Sequence, residues 1–291
     1  VRLAFYPGCA LDSSAREFRE STEVVARDLG IDLEEIPDWI CCGSTPAHMS
    51  SKLLSLALPA YNLALARAMG VEGVFVPCAS CYSRMRAANY RIGQDDAIRR
   101  DVEEALGEPY EGDVPVYHAL EVIYKAIEEG ALDGAVRSEL VGLKVASYYG
   151  CLLVRPPEVA GFDDPEDPRM LDKVTLAVGA EPVDWRYKVE CCGAALAFTQ
   201  DQIVLNLSGE ILADARHAGA DIVSVACPLC HSNLDLRQRN IEKYTGIDLE
   251  IPVLYFTQLL GIALGHSAGE LGLNRHSINP IPVLKKAGVR I

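Results

Sequence analysis

The sequence predicts an α/β fold of two duplicated domains, each a small, mostly parallel sheet flanked by helices and related to the other by a pseudo-twofold. Short apolar runs that read as strands alternate with stretches of helical periodicity, which implies strands joined by helical crossovers. The alternation runs through the chain twice, and in both passes cysteines stand at the same steps.

In the first pass, Arg2 to Tyr6 reads as a short buried strand ending at Pro7-Gly8-Cys9, and Ser13 to Leu29 has helical spacing with Gly30 as its stop. Ile31 to Ile36 reads as a second strand, and the loop through Trp39 carries Cys41 and Cys42. Ser51 to Met69 is an apolar helix closed by Gly70, Gly73 to Val76 is a strand running into Pro77-Cys78, and a helix follows Ser80. In the second pass LKVASYYGC is strand then cysteine, Arg169 to Val178 and Gln202 to His217 are helical, and DIVSVAC is the strand into Cys227. VPVYHALEVIYKAI closes the first pass and IPVLYFTQLLGIAL the second, each a proline-led apolar segment turning into a helix expected to pack its own domain shut. Pro156-Pro157 and the acidic stretch Phe162 to Pro168 form an added loop, and the tail after Gly265 reads as irregular, broken by Pro280 and Pro282.

A chain of 291 residues with 49% hydrophobic content can bury two ordinary cores. The boundary falls near Val136 to Gly142, giving domains 1–138 and 139–291. No apolar run is long enough for a membrane span. VRLAFYPGC runs directly into a strand, leaving no room for a secretory signal, so a reducing, cytoplasmic setting is expected, where clustered thiols favour metal over disulfides. The net charge of −14 argues against nucleic acid as a partner, since a binder must displace counterions with basic surface.

The ten cysteines carry the chemistry. The first set is Cys9, Cys41, Cys42, Cys78 and Cys81, and the second is Cys151, Cys191, Cys192, Cys227 and Cys230. Cys9 and Cys41 are separated by 31 residues and Cys151 and Cys191 by 39, whereas Cys42 to Cys78 spans 35 and Cys192 to Cys227 spans 34. Cys9 and Cys78 fall at strand ends of the first half and Cys151 and Cys227 at those of the second, where open α/β sheets bind ligands, so sequence-distant cysteines are expected to converge on one edge of each half. A structural zinc takes four ligands, and the two C-x-x-C pairs alone fit it, but five thiolates exceed that demand. A thioredoxin-like dithiol leaves three cysteines per copy unused. A polynuclear iron-sulfur group offers several metal atoms to adjacent Cys41 and Cys42, with Gly43 permitting close backbone approach. An ordinary cubane needs four cysteines, so five predict one spare thiol or a cluster of unusual shape.

The pattern C-x31-CCG-x34-C-x-x-C and its repeat, with YPGCALD, ICCGS, VPCASCYSR, YYGCLLVRP, ECCGAALAF, VACPLCHSNLD and PVLYFTQLLGIALG, resembles the CCG-domain family and, within it, the B subunits of heterodisulfide reductases. The resemblance covers nearly the whole chain. It implies that each set of five cysteines holds a noncubane [4Fe-4S] cluster, two in all. It also implies reductive cleavage of a disulfide, such as that of coenzyme M and coenzyme B, between the clusters. The implied partners are the iron-sulfur C subunit of such a complex together with its flavin-containing A subunit. No G-x-G-x-x-G follows a strand, so flavin and nicotinamide are not expected in this chain itself. CCG domains also resemble parts of organic-acid oxidation and respiratory complexes, which makes a non-catalytic electron-transfer subunit the alternative.

Polar residues beside the cysteines are candidates for substrate contacts: His48, Lys52, Arg84, Arg155, His231 and Asn233. Cations there can bind sulfonate, phosphate or carboxylate, although a solvated or capping role competes at each. His118 reads as a structural histidine, Tyr6, Tyr148 and Tyr149 as core, and Trp39 as a shield over one cysteine set.

Overall fold

A computed structural model gives the fold over residues 2–291, the side chain of Thr45 excepted. The first half runs β1 (Arg2–Phe5), α1 (Gly8–Asp12), α2 (Arg16–Asp28), β2 (Asp32–Glu35), α3 (Ser44–Ser50), α4 (Lys52–Ala68), β3 (Val74–Val76), α5 (Ala79–Gln94), α6 (Asp96–Leu106), β4 (Val116–His118) and α7 (Ala119–Glu128). The second runs β5 (Lys144–Tyr148), α8 (Cys151–Val154), α9 (Pro157–Ala160), α10 (Met170–Ala177), β6 (Glu181–Pro182), α11 (Asp201–His217), β7 (Ile222–Val225), α12 (Pro228–Leu234), α13 (Gln238–Thr245), β8 (Val253–Tyr255), α14 (Phe256–Ala263) and α15 (Ile281–Lys286).

Two four-stranded sheets result, ordered β2-β1-β3-β4 and β6-β5-β7-β8, with every pairing parallel. The same order in both bears out the duplicated α/β reading. β3 and β7 are buried along their whole length, as expected of inner strands covered by helices on both faces. Between the inner strands Phe5 pairs in register with Phe75, and the equivalent pair in the second sheet is Ser147 and Ser224. We propose dividing the chain at 138/139, in the connection between α7 and β5.

The closing helices depart from expectation. They do not simply shut their own halves: α14 packs on α2 of the first half, and α7 packs on α10 of the second. Phe18 stacks on Tyr255 at 4.1 Å between centroids, and Ser21 hydrogen-bonds Thr257 at 2.8 Å. At the opposite end Lys173 donates to Tyr124 Oη at 3.0 Å. The apolar face of each closing helix is completed across the seam, and one continuous core spans both halves.

The tail is also more regular than its prolines imply. Pro280 precedes α15 and Pro282 lies in its first turn, where a missing N–H costs nothing. Here proline starts a helix instead of ending one.

Candidate metal centres

Every cysteine lies at or just beyond the carboxyl end of a strand. Cys9 sits in α1 after β1, Cys41 and Cys42 in the loop after β2, and Cys78 caps α5, whose first turn holds Cys81. Cys151 opens α8 after β5, Cys191 and Cys192 follow β6, and Cys227 caps α12, which carries Cys230. Parallel strands with right-handed crossovers deliver all these loops to one edge of each sheet.

Five thiols converge in each half. Cys41 and Cys9 Sγ atoms are 3.8 Å apart, Cys42 and Cys81 3.3 Å, and Cys192 and Cys230 3.6 Å, yet all ten thiols are free. Glycines admit this crowding. A Cβ on Gly8 would lie 3.2 Å from Cys81 Sγ, and one on Gly150 the same distance from Cys230 Sγ. Both have positive φ, at +67° and +68°, so two independent constraints demand glycine. Gly43 and Gly193, directly after the cysteine pairs, are left-handed as well, with φ of +76° and +79°. They turn the chain back at the end of each pair, leaving Cys42 and Cys192 buried while Cys41 and Cys191 stay at the surface.

The thiols perturb one another. Cys81 is pushed well up by its hydrogen bonds to Cys42 and Cys78, while Cys42 is held well down, by Cys41 foremost, with the Arg84 guanidinium adding to the effect. Cys191 is held down to about 6, chiefly by Cys151 and assisted by the Gly193 N–H, which lies 3.3 Å from its sulfur. Five soft donors this close, mostly buried and in a glycine cradle, suit a polynuclear thiophilic group and exceed what one tetrahedral ion takes.

Tyrosines hold the loops in place. Tyr6 Oη donates to Ile40 O at 2.8 Å and Tyr148 Oη to Glu190 O at 2.7 Å, each the carbonyl just ahead of a cysteine pair. Ile40 is also clamped by Asn62, which accepts from its N–H at 2.8 Å and donates to its carbonyl at 3.0 Å. Trp39 meets Tyr6 edge-on at 5.5 Å, covering this corner of the first set. The sequence signal for these pins was the shared Y-x-G-C spelling of YPGC and YYGC.

The candidate contact residues disperse. Asn233 is buried and donates to Cys192 O at 3.0 Å and toward its sulfur at 3.6 Å. Arg84 acts on Cys42 through its field. Arg155 reaches Val189 O and pairs with Glu166 at 2.9 Å, so it braces the second cysteine loop. His231 is buried and joins His276 at 2.9 Å. His48 and Lys52 are exposed at the α3–α4 junction and bond to no cysteine. His118, as expected, is structural: its Nδ1 accepts from Leu120 N and its Nε2 donates across the seam to Ala226 O.

The two cysteine sets meet at that seam. Cys78 is pushed up, foremost by the Cys227 thiol, and Cys227 is held down by Cys230 and then Cys78. No helix among the described residues is long and apolar enough to cross a membrane.

Comparison with known proteins agrees with this architecture. The family model for the cysteine-rich CCG domain matches twice, at residues 3–86 and 145–235. The chain is 34% identical, over 95% of its length and 97% of the relative, to the 8-methylmenaquinol:fumarate reductase membrane anchor subunit of Wolinella succinogenes. It is 32% identical, over 98% of its length and 97% of the relative, to the B subunit of the ferredoxin/F420H2-dependent CoB-CoM heterodisulfide reductase of Methanosarcina acetivorans. A crystal structure of a hypothetical protein from Helicobacter pylori shares the fold, with a TM-score of 0.76 and 16% identity over 96% of this chain and 52% of that one. The twice-repeated cysteine architecture and these relatives establish that the chain belongs to the cysteine-rich CCG domain family, together with heterodisulfide reductase B subunits and related iron-sulfur oxidoreductase subunits.

Proposed function

We propose that this chain is the catalytic subunit of a disulfide reductase complex, cleaving a heterodisulfide such as that of coenzyme M and coenzyme B where its two cysteine sets meet. The observation that carries the reading is the meeting of the two cysteine sets at the seam, where His118, packed on the residue after Cys81, donates at 3.1 Å to the carbonyl of Ala226, the residue before Cys227. A disulfide has two sulfurs and takes two electrons, and a duplicated site offers one place for each. When bound, two [4Fe-4S] clusters, noncubane in type, supply single electrons and iron that binds sulfur. Cys9, Cys41, Cys42, Cys78 and Cys81 hold one, and Cys151, Cys191, Cys192, Cys227 and Cys230 the other. The chain's own tasks are to fix the ligand loops through Tyr6, Tyr148 and Asn62, to bond the second set through Asn233, and to bias the first set electrostatically through Arg84. Electrons arrive from the iron-sulfur C subunit, itself supplied by the flavin-containing A subunit. The test is viologen-driven reduction of the coenzyme M-coenzyme B disulfide by the iron-loaded protein, with electron paramagnetic resonance of the oxidised form. A substrate-dependent paramagnetic signal is expected, and a spectrum indifferent to every disulfide tried would end the proposal.

A second reading, an electron-transfer subunit that attaches its complex to a membrane or partner, draws on one feature. Met49 is 78% and Phe198 101% exposed, and Leu53, Leu54 and Ile203 are exposed beside them in sequence, just after the two cysteine pairs. Apolar side chains so displayed mark contact surfaces when they cluster. Flotation with liposomes that is lost on Phe198→Ser and Met49→Ser, with no disulfide turnover, would favour this reading over the first.

A further inference from the structure

The duplicated seam has two equivalent sides, and they are finished differently. On one side Tyr82, the residue after Cys81, lies edge-on at 5.6 Å to His118, the residue that caps α7. On the other, His231, the residue after Cys230, stacks at 4.4 Å on Tyr255, which caps α14. The histidine-tyrosine pair is present in both halves with its members exchanged.

The first side is filled by polypeptide. Tyr82 Oη donates to Ala160 O at 2.7 Å, Arg86 Nε donates to Val159 O at 3.0 Å, and Phe162 meets both Tyr82 and His118 edge-on. The α8–α9 segment thus supplies carbonyl oxygens to the donors there. The second side is open. A cavity of about 160 Å³ lies between the α1–α2 turn of the first half and α12 of the second, walled by Ser13, Ser14, Arg16, His231, Tyr255 and Arg275 among others.

The donors around this cavity lack the acceptors found on the closed side. Tyr255 Oη is fully buried and has no hydrogen-bond partner among the described residues. A buried hydroxyl left so is costly, and a hydrogen-bonding ligand or water offsets the cost. Gln258 Oε1 accepts from Tyr255 N, so the Gln258 amide nitrogen donates to Leu271 O and to His276 Nε2, each at 2.9 Å. His231 Nε2 is engaged on its inner side, 2.9 Å from His276 Nδ1 and 3.1 Å from Val253 O, and its ring forms part of the cavity wall. Arg16, exposed at the rim, makes no ion pair or hydrogen bond among the described residues, while Arg275 is engaged by Glu20 at 2.7 Å. Glu17 also lines the cavity, and burial pushes its carboxyl up toward the neutral form, which lessens its opposition to an anion.

We propose that this open side of the seam binds a small anionic oxygen group, taking from Arg16 and Tyr255 the hydrogen bonds that the Ala160 and Val159 carbonyls take on the closed side, with the His231 ring as one wall. The deeper assignment rests on the disulfide-reductase reading: the group is the acidic tail, sulfonate, phosphate or carboxylate, of one thiol half of the substrate, held beside Cys227.

Calorimetric titration of the iron-loaded protein with inorganic phosphate, and separately with ethanesulfonate, tests the site without turnover. Saturable binding is expected, weakened about 5- to 10-fold by Arg16→Ala and by Tyr255→Phe, as befits loss of one charge-assisted or one buried hydrogen bond. Absence of saturable binding by either probe, or binding that neither substitution changes, overturns the proposal. Arg16 is exposed, so its variant folds even if the Tyr255 variant does not. In turnover, Arg16→Ala should raise KM for the disulfide about 10-fold with a much smaller effect on kcat. An unchanged KM overturns the tail assignment. Anion binding in a protein that reduces no disulfide supports the site and removes the deeper assignment alone.

Discussion

Replacing Lys188 with methionine tests how the second cysteine loop is held. Lys188 lies three residues before Cys191, is 3% exposed, and its ammonium is 2.9 Å from Asp172 and 3.3 Å from Asp167. Its carbonyl accepts from Tyr149 N and Gly150 N, tying the loop to the turn that presents Cys151. At 2.9 Å the attraction is about 6 kcal/mol for an effective dielectric of about 20, much of it spent on desolvating both ions. Removing the lysine alone strands Asp172, whose remaining cationic neighbour is the more exposed Arg169 at 3.8 Å. The cost should fall near the lower end of the 3–5 kcal/mol typical of a broken buried pair, roughly 3 kcal/mol. For a chain this long that is a fall in Tm of roughly 5 °C. The double variant Lys188→Met with Asp172→Leu should recover much of the loss, because no buried charge is left behind. Thermal unfolding by circular dichroism, with Arg2→Ala as a surface-pair control expected to cost under about 1 kcal/mol, gives the comparison. A Lys188→Met loss no greater than the Arg2→Ala loss would refute the reasoning.

Other expectations are as direct. Tyr148→Phe should speed iron release to a chelator more than Tyr6→Phe, since Ile40 O keeps the Asn62 amide while the Tyr148 hydroxyl is the partner found for Glu190 O; equal rates would contradict the loop-pinning role. Cys42→Ala and Cys192→Ala should lower iron content and activity together, read by iron analysis, whereas Arg84→Ala should keep iron and lower the midpoint potential of the first set, read by redox titration. Glu121 is pushed up to about 7 by burial, so its ionisation opposes folding: its contribution is intact below about pH 4.5 and is lost as pH rises through 7. Glu121→Gln should therefore gain about 1 kcal/mol at pH 8, the part-exposed side chain screening the rest, and little at pH 5, in paired denaturation curves. Gln258 already accepts the equivalent backbone N–H in the second half, so the cap survives the change.

Much of this architecture was legible because the chain repeats itself. LAFYPGC and VASYYGC announce a buried strand ending in glycine and a ligand, and the helix stops at Gly30 and Gly70 lie where φ is positive. What periodicity cannot reveal is which partner an apolar face chooses. The helices beginning at Ala119 and Phe256 read as closures of their own halves, and only in three dimensions does Phe18 meet Tyr255 across the seam. Polar residues near cysteines posed a similar limit. Proximity in sequence singled out His231 and Asn233 alike, but in α12 they diverge, Asn233 toward Cys192 and His231 toward His276. Arg16, seven residues past Cys9, was passed over because its role depends on α12 arriving from the other half.

The crossing of α7 and α14 has a consequence for how the molecule can move. Contacts at Phe18–Tyr255, Ser21–Thr257, Lys173–Tyr124 and Tyr82–Ala160 tie the halves at separate points around the seam, so swinging it open has to break all of them together. Such bracing opposes a clamshell that admits cargo by gaping, and favours traffic between the two cysteine sites and the solvent through openings already present in the walls.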